Sequence, residues 1–122
     1  MAIQILKNTP IHAVIAITGA AASETINLST TLAITGQTAA TPLVDIKHIH
    51  WSVPVGVATI VRNSVTLWNV TGAYNLDFCG FTDNREHGSN IVITLPAGGG
   101  TVIVELMKIS GYGDSQHINP LT

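Results

Sequence analysis

The chain has 122 residues and a formal net charge of −2, with five Lys and Arg against seven Asp and Glu. A chain of this size suits one domain that buries roughly two-thirds of its unfolded surface, and without a run of basic residues it lacks the electrostatic footprint for gripping nucleic acid. Charged residues are only 10% of the chain, against about 25% in an ordinary soluble domain, and the polarity is carried instead by 15 Thr, 8 Asn and 7 Ser. Such a neutral, Thr-rich surface suits β-strands and a protein largely covered by partners, so self-association or another protein neighbour is expected.

Taken in chain order, short segments rich in Val, Ile and Thr alternate with turn signals. Strands are predicted near 2–6, 11–18, 24–28, 44–51, 56–62, 64–70, 73–79, 90–95 and 101–109. Ile11 to Ile17, with Lys7 before it and Ala20-Ala21-Ala22 after, has the outline of a signal peptide. Pro10 and His12 interrupt it, and a strand is expected. Between Ala20 and Ile34 the β-branched content favours extended structure over a short helix. Turns are predicted at Gly36 to Pro42, at Pro54 to Gly56 and at Thr71-Gly72.

In Val44-Asp45-Ile46-Lys47-His48-Ile49-His50-Trp51 the apolar phase slips, which calls for a β-bulge near Lys47 and His48. Ile91, Ile93 and Leu95 alternate with Val92 and Thr94. After Gly100, the set Val102, Val104 and Leu106 alternates with Ile103, Glu105 and Met107. These two segments flank Pro96 to Gly100 and are expected to form an antiparallel hairpin. Eight or nine short strands at this spacing predict a single all-β domain over residues 1–122, an antiparallel β-sandwich. No apolar stretch approaches the ~20 residues of a membrane-spanning helix, so no membrane partner is expected.

Motif chemistry is sparse. Two imidazoles at His48 and His50 share one strand face, a spacing that metal sites use. His12, His87 and His117, the other histidines, lie in separate segments, so the expectation is two hydrogen-bonded histidines at a bulge or subunit contact and no metal. The acids are scattered, a Gly-x-Ser-x-Gly elbow is missing, and Gly98-Gly99-Gly100 leads into a strand rather than a phosphate-cradling helix. No catalysis and no cofactor are expected. The lone Cys79, in an apolar stretch, is expected to be a buried inert thiol. Asn27-Leu28-Ser29 and Asn69-Val70-Thr71 match a glycosylation acceptor in form alone.

The polar segment Asp83, Asn84, Arg85, Glu86, His87, Gly88, Ser89, Asn90 is the densest in charge, and a polar loop on a rigid sheet is where binding surfaces usually sit. The first five are candidate partner contacts. The tail from Asp114 to Thr122, with Asn119, Pro120 and Leu121, is expected to order against a neighbour.

Three stretches carry a family resemblance: His12-Ala13-Val14 to Thr18-Gly19; Ile46 through Trp51 with Arg62 beyond; and Gly99-Gly100-Thr101 through Glu105-Leu106-Met107-Lys108 to Gly111-Tyr112. Together they resemble the small virion structural proteins of tailed bacteriophages, particularly those of marine bacteria and cyanobacteria. The resemblance implies a β-sandwich made in the bacterial host cytoplasm and mounted on the capsid exterior. There it would act as a decoration or cement protein, sitting between major capsid protein subunits and stabilising the shell. Alternative expectations are a tail or adaptor subunit, and a carbohydrate-binding module in which Trp51, Trp68, Tyr74 and Tyr112 form a stacking platform.

Overall fold

The computed structural model describes residues 2–34, 37–78 and 82–114. Cys79 and most of the tail, including Asn119, Pro120 and Leu121, lie outside the described residues. Seven strands form: β1 (Ala2–Asn8), β2 (His12–Gly19), β3 (Ala22–Ile26), β4 (Gln37–Arg62), β5 (Val65–Asp77), β6 (Ile91–Leu95) and β7 (Gly100–Asp114). They make one curled antiparallel sheet of order β1-β2-β7-β4-β6-β3, with β5 paired to β4 off this path. No helix occurs among the described residues, as the abundance of β-branched side chains predicts.

The strand count is below eight because β4 and β5 each absorb two predicted strands. β4 has 26 residues. Its first part pairs with β7, from Gln37↔Asp114 to Ser52↔Thr101, with a register shift between Ala39 and Leu43 where a turn is predicted; Gly36 lies outside the described residues. Its last residues pair with β6, from Thr59↔Thr94 to Arg62↔Ile91. Pro54 to Gly56 is therefore a corner inside a continuous strand and not a turn between two. The ladder to β5 lapses between Val53 and Ala58, where Pro54 has no N–H to donate. Gly56 has φ 91, and a Cβ there would lie 2.7 Å from Pro96 Cβ. Thr71-Gly72 is the matching corner of β5, with Gly72 paired to Val53. Between β4 and β5 the chain reverses at Asn63-Ser64, whose φ values of 52 and 61 are those of a two-residue hairpin turn.

A second expectation is also corrected: β6 and β7 share no ladder. β6 pairs with β3 and β4, whereas β7 pairs with β2 and β4. The intervening backbone is engaged locally, with Pro96 O accepting from both Gly99 N and Ala21 N at 2.9 Å. Gly100 then passes so close to β4 that a Cβ would sit 2.7 Å from Ser52 O. This delivers β7 into the slot between β2 and β4 instead of back alongside β6.

The period-2 expectations hold in detail. Ile91, Ile93 and Leu95 are buried, as are Val102, Val104 and Leu106. They share one core with Ile15 and Ile17 of β2, and with Val44, Ile46, Ile49, Val53, Ala58 and Ile60 of β4. The bulge near Lys47 and His48 is present, as a register shift between Ile46 and His48 against β7, which lets Ile46 and Ile49 both face the core.

One end of the core is closed by the irregular segment 27–34, which buries Leu28 and Leu32. Its carbonyls are held by Lys108 Nζ, donating to Leu32 O at 2.5 Å, and by Tyr112 Oη, donating to Leu28 O at 2.6 Å. The Lys108 ammonium also lies 4.9 Å from the centre of the Tyr112 ring. Burial pushes Lys108 down to about 8 and, against the pull of Arg62, pushes Tyr112 up to about 12. Between about pH 8 and 10 the unfolded chain holds a proton on Lys108 that the folded chain has lost, so stability rises with pH. Above about pH 10 the folded chain retains the Tyr112 proton that the unfolded chain loses, so this group makes stability fall. Urea unfolding from pH 7.5 to 11 is expected to show the rise and then the fall, and Lys108→Met to abolish the rise alone.

Candidate functional site

Two polar clusters stand out, and the first is organised by a cation. Arg62, at the end of β4, is fully buried. Its Nη1 donates to Val44 O at 2.6 Å, Nη2 to His87 O at 3.0 Å and Ser89 O at 2.8 Å, and Nε to Ser89 O at 3.1 Å. Burial lowers its pKa, while Asp45 and Asp83 act in the opposite direction. The guanidinium thus satisfies a loop that runs along the edge of β4 beyond the end of β5. There Ile46 and Asp83 exchange backbone hydrogen bonds at 2.8 and 3.1 Å, and His87 O accepts from Val44 N.

The structure places the five candidate contact residues of this loop differently. Asp83 is buried, its carboxylate accepting from Trp68 Nε1 at 2.8 Å and Arg85 Nη2 at 2.7 Å. Burial alone would raise this carboxyl, but the hydrogen bonds from Arg85 and Trp68 outweigh it and hold the group below its ordinary range. His87 is half-buried, with Nδ1 3.2 Å from Asp45 Oδ1. Asn84, Arg85 and Glu86 are exposed, although Arg85 lies over the Trp68 ring at 5.1 Å and Glu86 accepts from Asn63 Nδ2 at 2.8 Å. Of the five, Asn84, Arg85 and Glu86 at the tip of the loop face outward.

The second cluster lies on the face of the sheet opposite the core. β4 presents His48 and His50, and β7 presents Glu105 within reach of both, because the bulge sets His48 opposite Glu105 and His50 diagonal to it, opposite Ile103. His50 Nε2 is 3.0 Å from Glu105 Oε2, and His48 Nδ1 is 3.5 Å from the same oxygen. The imidazoles stack with centroids 4.0 Å apart at 23°. The hydrogen bond from His50, with attraction from His48, holds the Glu105 carboxyl below its ordinary range against the effect of burial. Of the histidines weighed as a third member, His12 stands on β2 opposite Met107, His87 belongs to the Arg62 loop, and His117 is outside the described residues. The third group is a carboxylate, and finding it required the β4–β7 register.

Of the four aromatic residues weighed as a stacking platform, Trp51, Trp68 and Tyr112 are partly buried against the core and Tyr74 is exposed. Tyr74 meets Trp51 at 6.4 Å and 57°, and Phe78 meets Trp68 at 5.8 Å and 50°. No helix of the described residues is long and apolar enough to cross a membrane. Comparison of the chain with protein-family models, with curated proteins and with solved structures finds no match.

Removing the guanidinium takes a donor from the Val44, His87 and Ser89 carbonyls, with Val44 N remaining to His87 O, and leaves Asp45 and Asp83 without their buried cation. Arg62→Met is therefore expected to destabilise the fold by about 3 kcal/mol or more. Urea denaturation checks the magnitude, and hydrogen exchange should show the amides of residues 83–89 losing protection first.

Proposed function

We propose that this chain is a non-enzymatic structural subunit that works by packing against protein neighbours in a larger assembly. The form we infer is a capsid decoration protein on the exterior of a tailed-phage virion, binding between major capsid protein subunits. In this reading the curled sheet acts as a compact two-layer sandwich. The observation that carries the proposal is an apolar corner around the edge strand β1. Ile5 is 48% exposed, Leu6 49% and Ile11 64%, and Ile3 and Ile109 are also exposed. Ile11 and Ile109 line one open groove of about 700 Å³. Among the described residues β1 pairs only with β2, so its other edge offers unpaired backbone groups beside exposed aliphatic side chains. An edge of that kind invites pairing with another chain, and exposed apolar clusters mark interaction sites.

Two further features support this reading. Val55 is 66% exposed and Val57 50%, both at the corner of β4, giving a second apolar contact of the kind a subunit bridging two shell proteins requires. Asp45, Arg62, Asp83 and Lys108 are buried, so the solvent-facing surface is poorer in charge than the composition alone implies. A copy that binds only the assembled shell stabilises it by mass action.

Quantitative mass spectrometry of gradient-purified particles tests the proposal. A copy number of the order of the major shell protein is expected; a dozen or so copies would move the chain to the tail, and absence from particles would overturn the virion reading. The double variant Ile5→Lys, Leu6→Lys is expected to keep its folding stability to within about 0.5 kcal/mol per exposed site and to lose particle association.

A further inference from the structure

We propose that His48, His50 and Glu105 form a binding site for one divalent transition-metal ion of the zinc class, clamping β4 to β7 across the bulge. The site is independent of the assembly role and rests on four observations.

The first is donor geometry. One ligand atom from each residue lies within 4.8 Å of the others. The two imidazole-to-carboxylate separations, 3.0 and 3.5 Å, bracket the ~3.3 Å edge of a tetrahedron with ~2.0 Å metal–ligand bonds. The third edge, between the two imidazole nitrogens, is bounded at 4.8 Å, so an ion would be seated by side-chain rotation that draws the rings together about the carboxylate.

The second is the tautomer. His48 Nε2 is 3.2 Å from Asn75 Oδ1 on β5. With that oxygen accepting, the neutral imidazole carries its proton on Nε2 and turns the Nδ1 lone pair towards Glu105 Oε2. Two acceptors then face each other across 3.5 Å, an arrangement that a cation between them resolves. An outer oxygen fixing the tautomer of a ligating histidine is the usual partner of a metal site.

The third is the stacking of the imidazoles at 4.0 Å. Rings stacked at this distance hold both imidazoles side by side next to the same carboxylate oxygen, so the donors are gathered before an ion arrives.

The fourth is access. The His50 side chain is 42% exposed and that of Glu105 26%, and His50 opens onto a shallow cleft of about 370 Å³ that also meets Ser52, Tyr74 and Thr101. A water or a neighbour's side chain has room to complete the coordination shell. Two nitrogens and one carboxylate oxygen suit zinc, copper(II) or nickel(II) and disfavour calcium and magnesium, which prefer all-oxygen shells.

The test is titration of the metal-free full-length chain with zinc chloride by calorimetry, with circular dichroism confirming the fold. The expected result is one zinc per chain, a raised melting temperature with zinc, and no competition from excess magnesium. His50→Ala and the near-isosteric Glu105→Gln are expected to weaken binding at least about ten-fold, and Asn75→Ala by about ten-fold. The double variant His87→Ala, His117→Ala should bind as the parent does. Cobalt(II) substitution reads the site without mutation, and intense tetrahedral d–d bands are expected. A folded parent chain that takes up no zinc, or binding unchanged in folded Glu105→Gln and His50→Ala, would overturn the proposal. So would binding lost only in the His87, His117 variant.

Discussion

The reach of Arg62 back to Val44 is the constraint on which the rest of the molecule depends. The two residues are 18 apart in one strand, and 18 extended residues span about 60 Å. A 2.6 Å hydrogen bond between them is possible only if β4 bends sharply along its length, so the corner at Pro54–Gly56 and the buried guanidinium are two ends of one design. The corner places β7, β2 and β1 on one part of β4 and β6 and β3 on the other, and a single core lies within the curl. The same guanidinium holds the 83–89 loop through His87 and Ser89, so the opening of the curl and the position of the loop are set together. A buried cation is an expensive device in water-excluded surroundings. It is tolerable here because each end of its fork meets a carbonyl and Asp45 and Asp83 are close by.

Local information carried well and connectivity did not, for physical reasons visible in particular residues. The alternation in Ile91 to Leu95 and in Val102 to Met107 is a property of a strand with one buried face, so the sequence alone assigns their inward sides. The bulge at Lys47 and His48 was legible because a phase slip between Ile46 and Ile49 has few other remedies. Pro54 and Gly56 are the same residues that end strands elsewhere, and their chemistry is identical whether a chain reverses or merely bends. Only the partner strand decides, and β5 bends at Gly72 alongside. The hairpin expected around Pro96 to Gly100 failed on the same distinction, since a glycine-rich turn specifies a change of direction and not which neighbour is met afterwards.

The functional clusters divide along the same line. His48 and His50 were visible as a pair because strand period is local, whereas Glu105 joined them only through inter-strand register, set by a bulge one residue away. No scan of spacing would connect residues 55 positions apart. The loop from Asp83 to His87 stood out for its charge, yet much of that charge points inward: Asp83 serves Trp68 and Arg85, and His87 lends its carbonyl to Arg62. A charge-dense segment in a charge-poor chain was a sign of an internal polar network as much as of a contact surface.

Low charge therefore takes on a sharper meaning. An isolated domain needs surface charge to stay soluble, and this chain places Asp45, Arg62, Asp83 and Lys108 inside while leaving Ile5, Leu6 and Ile11 outside. Both choices run against solubility as a free monomer and both suit a surface that ends up covered. The His48, His50 and Glu105 cluster follows a different logic, since three polar groups converge on the outward face where water could have served each separately. The burial of charge and the exposure of aliphatics support the proposed packing against a neighbour. The convergence of two imidazoles on one carboxylate concerns what it holds, and the two properties separate cleanly because they sit on different residues.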